Sequence, residues 1–189
     1  MAQTITKGDY GYLRRQQQKI GLLTGVLYAV ALIMYFTAKA YFKTNQNLFT
    51  ILAVVVLLPA AKQTVNLIML LRAGECPDDI HQKVERHVGS LDAAYDLYFT
   101  SEKKNFNIRH LAVGGKSIAA YSNDPKCDPA AGEQHIRQML QANGTHGYQV
   151  KIFTNLSSYL TRVDQLRELE SEGQADHEKL FALLYRITL

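Results

Sequence analysis

The stretch Ile20 to Ala38, IGLLTGVLYAVALIMYFTA, constrains this chain more than any other. It carries no charged side chain, and as a helix rising about 1.5 Å per residue it is long enough to cross about 30 Å of hydrocarbon. A second apolar run extends from Leu48 to Leu71, broken chiefly by Pro59, Lys62, Gln63 and Asn66. The segment between them, Lys39 to Asn47, is short and turns polar after Phe42. The pattern predicts a transmembrane helical hairpin. A cleaved secretory leader is the competing reading of the first run, but the run exceeds an ordinary leader core and no small-x-small cleavage site follows it.

Charge near the helix ends orients the hairpin. Lys7, Arg14, Arg15 and Lys19 precede the first run, the turn holds Lys39 and Lys43, and Arg72 closes the second run. Basic residues stay on the cytoplasmic side, so both termini are expected in the cytoplasm of a cell-membrane, multi-pass protein of the bacterial inner-membrane type. The expected division is a basic cytoplasmic tail at 1–19, the hairpin at 20–72 and a cytoplasmic α/β domain at 73–189.

The net charge of +4 belongs to the anchor. Residues 1–72 hold eight Lys and Arg against one Asp, and residues 73–189 hold thirteen against sixteen Asp and Glu. The basic flanks suit an anionic lipid surface. A mildly acidic remainder lacks the concentrated basic face that nucleic acid requires, so no nucleic-acid partner is expected. Cys76 and Cys127 show neither CxxC nor zinc-site spacing and read as reduced thiols.

Beyond the hairpin, Asp78 and Asp79 open a short helix with Ile80, Val84 and Val88 on one face. Ala93 to Thr100 alternates Tyr95, Leu97 and Phe99 as a strand. After the charged turn Ser101 to Asn105, Phe106 to Val113 and Ser117 to Tyr121 form a β-hairpin about Gly114-Gly115-Lys116. Asp128 and Pro129 start a helix that Asn143-Gly144 stops, with Ile136, Met139 and Leu140 facing inward. Tyr148 to Thr154 is a fourth strand. Asn155 caps a helix to Glu172, and Ala175 to Ile187 is the last helix. The fold class is α/β: a small mixed sheet flanked by helices, in the order α-β-β-β-α-β-α-α, after the membrane hairpin.

Gly115-Lys116-Ser117 ends like a phosphate-binding loop, but that motif needs a glycine where His110 stands and a helix where Ile118 begins a strand. The wider stretch, Asn107-Ile-Arg-His-Leu-Ala-Val-Gly-Gly-Lys-Ser-Ile-Ala-Ala-Tyr, resembles the hairpin of the nuclease-related domain, within the PD-(D/E)xK restriction-endonuclease-like group. The resemblance covers about Ile80 to Leu166 and implies a restriction-endonuclease-like core. It puts the family's metal-binding Asp on Arg109, its Glu on Ser122 and its Lys on Asp124. Metal-assisted hydrolysis needs oxygen ligands converging on a divalent ion, and an arginine at the first position repels that ion. The resemblance therefore implies a degenerate, catalytically incomplete copy, with no catalytic, metal or cofactor residue assigned.

Elsewhere, chemistry-bearing residues are scattered. His81, His87, His110, His135, His146 and His177 show no metal-ligand spacing, and alternation places Arg109 and His110 on opposite faces of their strand. Asp92 and Asp96 are expected on one solvated face. With Glu133 they are the residues a nuclease-like enzyme would have to use instead. In the second apolar run Lys62 and Asn66 are four apart with Gln63 beside them, a polar helix face on which a protein partner or a second copy would dock within the bilayer. The leading expectation is an integral membrane protein presenting a non-catalytic interaction or regulatory domain. A membrane-tethered, metal-dependent nuclease-like enzyme is the alternative.

Overall fold

A computed structural model describes residues 5–42, 48–101, 104–170 and 177–188. The chain divides into two units, one of residues 13–72 and one of residues 1–12 with 73–189.

The first unit is a pair of helices, α1 (Tyr12–Phe42) and α2 (Leu48–Ala73), both long and apolar enough to cross a membrane. At 31 and 26 residues they measure roughly 46 and 39 Å, more than the hydrocarbon thickness. Lys39 to Phe42, read from sequence as the start of the turn, continue α1, and 43–47 lie outside the described residues. The buried positions of α1 include Thr24, Ala31 and Ala38, and those of α2 include Ala53 and Ala60. Spacing by seven keeps each set on one stripe. Across the pair, Gln17 Nε2 donates to Leu70 O at 3.0 Å and the Tyr28 and Thr64 hydroxyls meet at 3.1 Å. Large side chains such as Leu22, Ile33, Phe36 and Leu58 are turned outward.

The second unit is an α/β sandwich. Its elements are α3 (Asp78–Val88), β1 (Asp92–Thr100), β2 (Asn105–Gly114), β3 (Ser117–Tyr121), α4 (Pro129–Ala142), β4 (Gln149–Phe153), α5 (Leu156–Glu170) and α6 (Glu178–Ile187). Among the described residues the chain thus has six helices and one four-stranded mixed sheet. Strand order is β1-β2-β3-β4, antiparallel across the first two pairs and parallel between β3 and β4. A parallel neighbour requires a crossover, which α4 supplies. One core layer joins the sheet to α4 and α6 through Ile136, Leu140, Leu180 and Leu184. The other joins it to α3 and α5 through Ile80, Val84, Tyr159, Val163 and Leu166.

Local chemistry sets the helix ends. Asp128 Oδ1 accepts from Ala131 N at 3.2 Å with Pro129 at the first helical position, and Asn155 Oδ1 accepts from Ser158 N at 3.1 Å before α5. Each satisfies an amide with no partner inside its own helix. The last helix starts at Glu178, three residues after the predicted Ala175, which lies outside the described residues. Residues predicted as a basic tail divide differently: 13–19 are already helix, while 5–12 run along the α/β unit. There Gly8 O accepts from Tyr95 N at 2.7 Å, and Lys7 Nζ donates to Tyr185 O and Thr188 O at 2.6 and 2.8 Å.

Candidate functional site

The glycines of the β2–β3 turn serve packing. A Cβ on Gly114 would meet the Leu166 side chain and backbone carbonyl of α5 at 3.0 Å, so an alanine there would press α5 back by a few tenths of an ångström. Gly115 takes φ +56°, where L side chains are strained, and its carbonyl accepts from Nε2 of the buried His177 at 3.0 Å. His177 Nδ1 meets Asp92 Oδ2 at 2.9 Å. The turn is thereby tied to the entry of α6 and the start of β1, and a strand, β3, follows it rather than a helix.

Further along the hairpin, the sheet breaks its own alternation. On β1, Ala94 and then Leu97 and Phe99 share the α4/α6 core layer; on β2, Phe106 and Ile108 share it with Leu111 and Val113. Period-two alternation would separate Ala94 from Leu97 and Ile108 from Leu111. Pairing keeps one register on both sides, from Tyr95↔His110 to Leu97↔Ile108, but no pair forms between Asp96 and Arg109. Asp96 has φ +54°, the one positive φ outside glycine among the described residues. Both strands slip by one side chain at this level.

The slip corrects two expectations. Arg109 and His110 lie between the two core residues Ile108 and Leu111, and both reach partners on the other side of the sheet. Arg109 Nη1 donates to Ala73 O at 2.8 Å and Nε donates to Asn123 Oδ1 at 2.7 Å, while His110 Nδ1 pairs with the Tyr159 hydroxyl of α5. Asp92 and Asp96 do not share a solvated face either. Asp92 binds His177, and Asp96 is drawn in beside Cys76 and Arg109.

Around Arg109 the chain is built to hold a guanidinium. Asn107 Nδ2 donates to the same Ala73 carbonyl. Gly74, at φ +64°, leaves room that a Cβ would take at 2.9 Å from Nη2. Neither oxygen of Asp96 has a hydrogen-bond partner of ordinary geometry, and both are buried. Burial pushes its carboxyl up to about 6, against the opposing pull of the Arg109 charge and the Cys76 backbone. Burial and the Asp96 carboxylate in turn push the Cys76 thiol up to about 12, so it stays protonated.

Beside this pair stands a ring of aromatic groups. Tyr10 stacks on His81 at 3.7 Å between centroids, Tyr95 meets both edge-on, and His110 lies 4.5 Å from Tyr95. Burial and the neighbouring His81 drive His110 down to about 3, which keeps its imidazole neutral. The buried side-chain atoms without a partner among the described residues are Nε2 of His110, Nδ1 of His81 and the two oxygens of Asp96. They concentrate in this one region between α3 and the slipped strands.

The remaining sequence candidates disperse. Ser122 is buried, and its Oγ accepts from Asp124 N at 3.3 Å; Asp124 Oδ1 accepts from Lys126 N at 2.8 Å. Both residues shape the loop after β3, and only Arg109 of the three motif positions enters the slipped region. Glu133 stands on α4, where Oε1 accepts from Ile152 N at 3.0 Å. Asp92, Asp96 and Glu133 therefore do not converge. Among the described residues no three His, Cys, Asp or Glu side chains are placed to hold a metal ion. In the helical pair, Asn66 Nδ2 donates to Gln63 Oε1 at 3.3 Å, both half-buried, while Lys62 is exposed.

Sequence reasoning passed over Tyr10, Asn107, Tyr159 and His177. Tyr10 and His177 reach their partners from 71 and 85 positions away along the chain, as in Tyr10 on His81 and His177 on Asp92, and no local pattern marks such a pairing. A tyrosine at Tyr159 does sit on the buried stripe with Val163 and Leu166, a spacing that could have drawn attention to it. Comparison with described protein families, with characterised proteins and with solved structures finds no match to this chain.

Proposed function

We propose that this chain is a two-span membrane protein, with both termini in the cytoplasm, whose α/β unit is a non-catalytic interaction or regulatory module on a nuclease-like scaffold. The observation that carries the reading is Arg109. The resemblance puts the first metal ligand of a nuclease at this position of β2, and here a guanidinium stands there, bonded to Ala73 O and Asn123 Oδ1. A permanent cation held by two neutral acceptors opposes a divalent ion at that point. Burial and the neighbouring Glu75 charge push the carboxyl of Asp96 on β1 up, while that cation pulls it down. The element order and mixed sheet support the scaffold part of the proposal, and two long apolar helices support the membrane part.

A second reading draws on Asp96. A buried carboxylate with unpartnered oxygens on a strained backbone is the kind of group active sites hold. Incubating the full-length protein in detergent with Mg²⁺ or Mn²⁺ and plasmid or single-stranded DNA separates the two. No cleavage is expected. Metal-dependent cleavage that Asp96→Asn abolishes would replace the first reading with the second.

A further inference from the structure

The two edges of the sheet are treated differently. The outer edge of β1 is covered by the chain's own ends: Tyr95 N donates to Gly8 O, and Thr188 bridges Phe99. Lys7 ties these two covers together through Tyr185 O and Thr188 O. The outer edge of β4 has no strand beside it among the described residues. On β4, Gln149 N donates to Lys116 O and Phe153 O accepts from Ser122 N, so the odd-numbered residues turn their main chain toward β3. Val150 and Ile152 turn theirs outward.

A groove of about 340 Å³ opens beside the first residues of β4, lined also by Ser117 and Ile118 of β3 and flanked by α4 and α5. Arg137 of α4, Lys151 of β4 and Arg162 of α5 line it, against Glu133 alone of opposite sign. Glu133 is partly committed, since Oε1 accepts from Ile152 N at 3.0 Å and lies 3.3 Å from Lys151 Nζ. It thus places a carboxylate oxygen where a neighbouring strand would place its carbonyl. Arg137 is exposed and Arg162 half-buried, its Nη1 donating to Gln165 Oε1 at 3.0 Å, and the edge between them already accepts an anionic oxygen.

We propose that the β4 edge binds an extended, acidic segment of a partner protein, which adds as a fifth strand and sets its carboxylates on Arg137, Lys151 and Arg162. Main-chain pairing along the edge supplies affinity that depends little on sequence, and the cations select acidic side chains. A nucleic acid would satisfy the cations but has no backbone to match the outward amides of Val150 and Ile152. The inference rests on the interaction-module reading and names the chemistry of the partner.

The test uses full-length protein in detergent and three labelled probes: a peptide alternating Glu and Thr, the same peptide N-methylated at alternate amides, and a single-stranded oligonucleotide. The alternating peptide should bind and slow amide hydrogen exchange across Gln149–Phe153. N-methylation should abolish binding, and the double variant Arg137→Glu, Arg162→Glu should weaken it about tenfold or more. Glu133→Ala, which frees Ile152 N and removes the competing charge, should tighten it. Arg137 is exposed and Arg162 half-buried, whereas the Glu133 side chain is only 15% exposed; an unchanged melting temperature would show that the fold is intact. Binding of the oligonucleotide in place of the peptide would overturn the proposal, as would peptide binding indifferent to N-methylation or to charge reversal, or no peptide binding. DNA cleavage by the same preparation would instead overturn the interaction-module reading beneath it.

Discussion

Asp96 and His110 bury ionisable groups at one level of the sheet, and they move stability with pH in opposite directions. A free aspartate titrates near 3.9, whereas Asp96 is raised to about 6. The folded state therefore holds that proton more tightly than the unfolded chain. Its contribution is complete below about pH 4 and is lost as pH rises through about 6, leaving an ionised group that opposes folding by roughly 3 kcal/mol. His110 is lowered to about 3, so its contribution is complete above the ordinary histidine range near 6.5 and is lost as pH falls. Asp96→Asn keeps the shape and tolerates the positive φ. It should raise stability at pH 7.5 by on the order of 3 kcal/mol and expose a steady loss between pH 6 and 4 that the native protein masks. Chemical denaturation across that range reads both effects; a variant less stable at pH 7.5 would contradict the account. The turn glycines give a second comparison. Gly114→Ala presses on Leu166 of α5 and should cost about 1–3 kcal/mol, while Gly115→Ala meets open space and should lose only the conformational term, about 1 kcal/mol. Thermal melts of the two variants rank them, and equal losses would argue against the close approach of Leu166.

At the level of elements, the apolar runs announce both long helices, because hydrophobicity sustained over some twenty residues has few other uses. What they do not announce is which stripe joins the two. Alanine is as apolar on one face as another, so the seam of Ala31, Ala38, Ala53 and Ala60 emerges only when the helices are paired. Ala60→Leu should overfill it and cost about 1–3 kcal/mol, whereas Leu58→Ala, on an outward position, should change little. Thermal stability in detergent distinguishes these, and similar melting for both would sink the seam. In the α/β unit, periodicity located Ile80, Val84 and Val88 on α3 and Ile136 and Leu140 on α4, all of them buried. Leu169, apolar and three residues beyond Leu166, is exposed, since the core beneath α5 ends at Leu166. The strand slip was not legible. Tyr95, Leu97 and Phe99 alternate in the sequence as one face should, and only a positive φ at Asp96, which no residue type there signals, sends Tyr95 to the other layer.

Over the whole molecule, element order could be read from caps, turns and periodicity, while the candidate site could be read only in part. Arg109 stood out because a resemblance gave its position a role; its carbonyl and amide partners, and the company of Asp96, depend on a strand slip and on Ala73 arriving from outside the sheet. Asp92 and Asp96 looked like a pair by spacing and are parted by that same slip. On the proposed reading, Arg109 stands where a nuclease would hold a metal ligand, and the buried Asp96 carboxylate serves no ion. Titration of the protein with Mn²⁺, followed by electron paramagnetic resonance of the free ion, tests that reading most directly. No saturable Mn²⁺ binding that depends on Asp96 is expected. A single saturable site, present in the native protein and lost in Asp96→Asn, would overturn it.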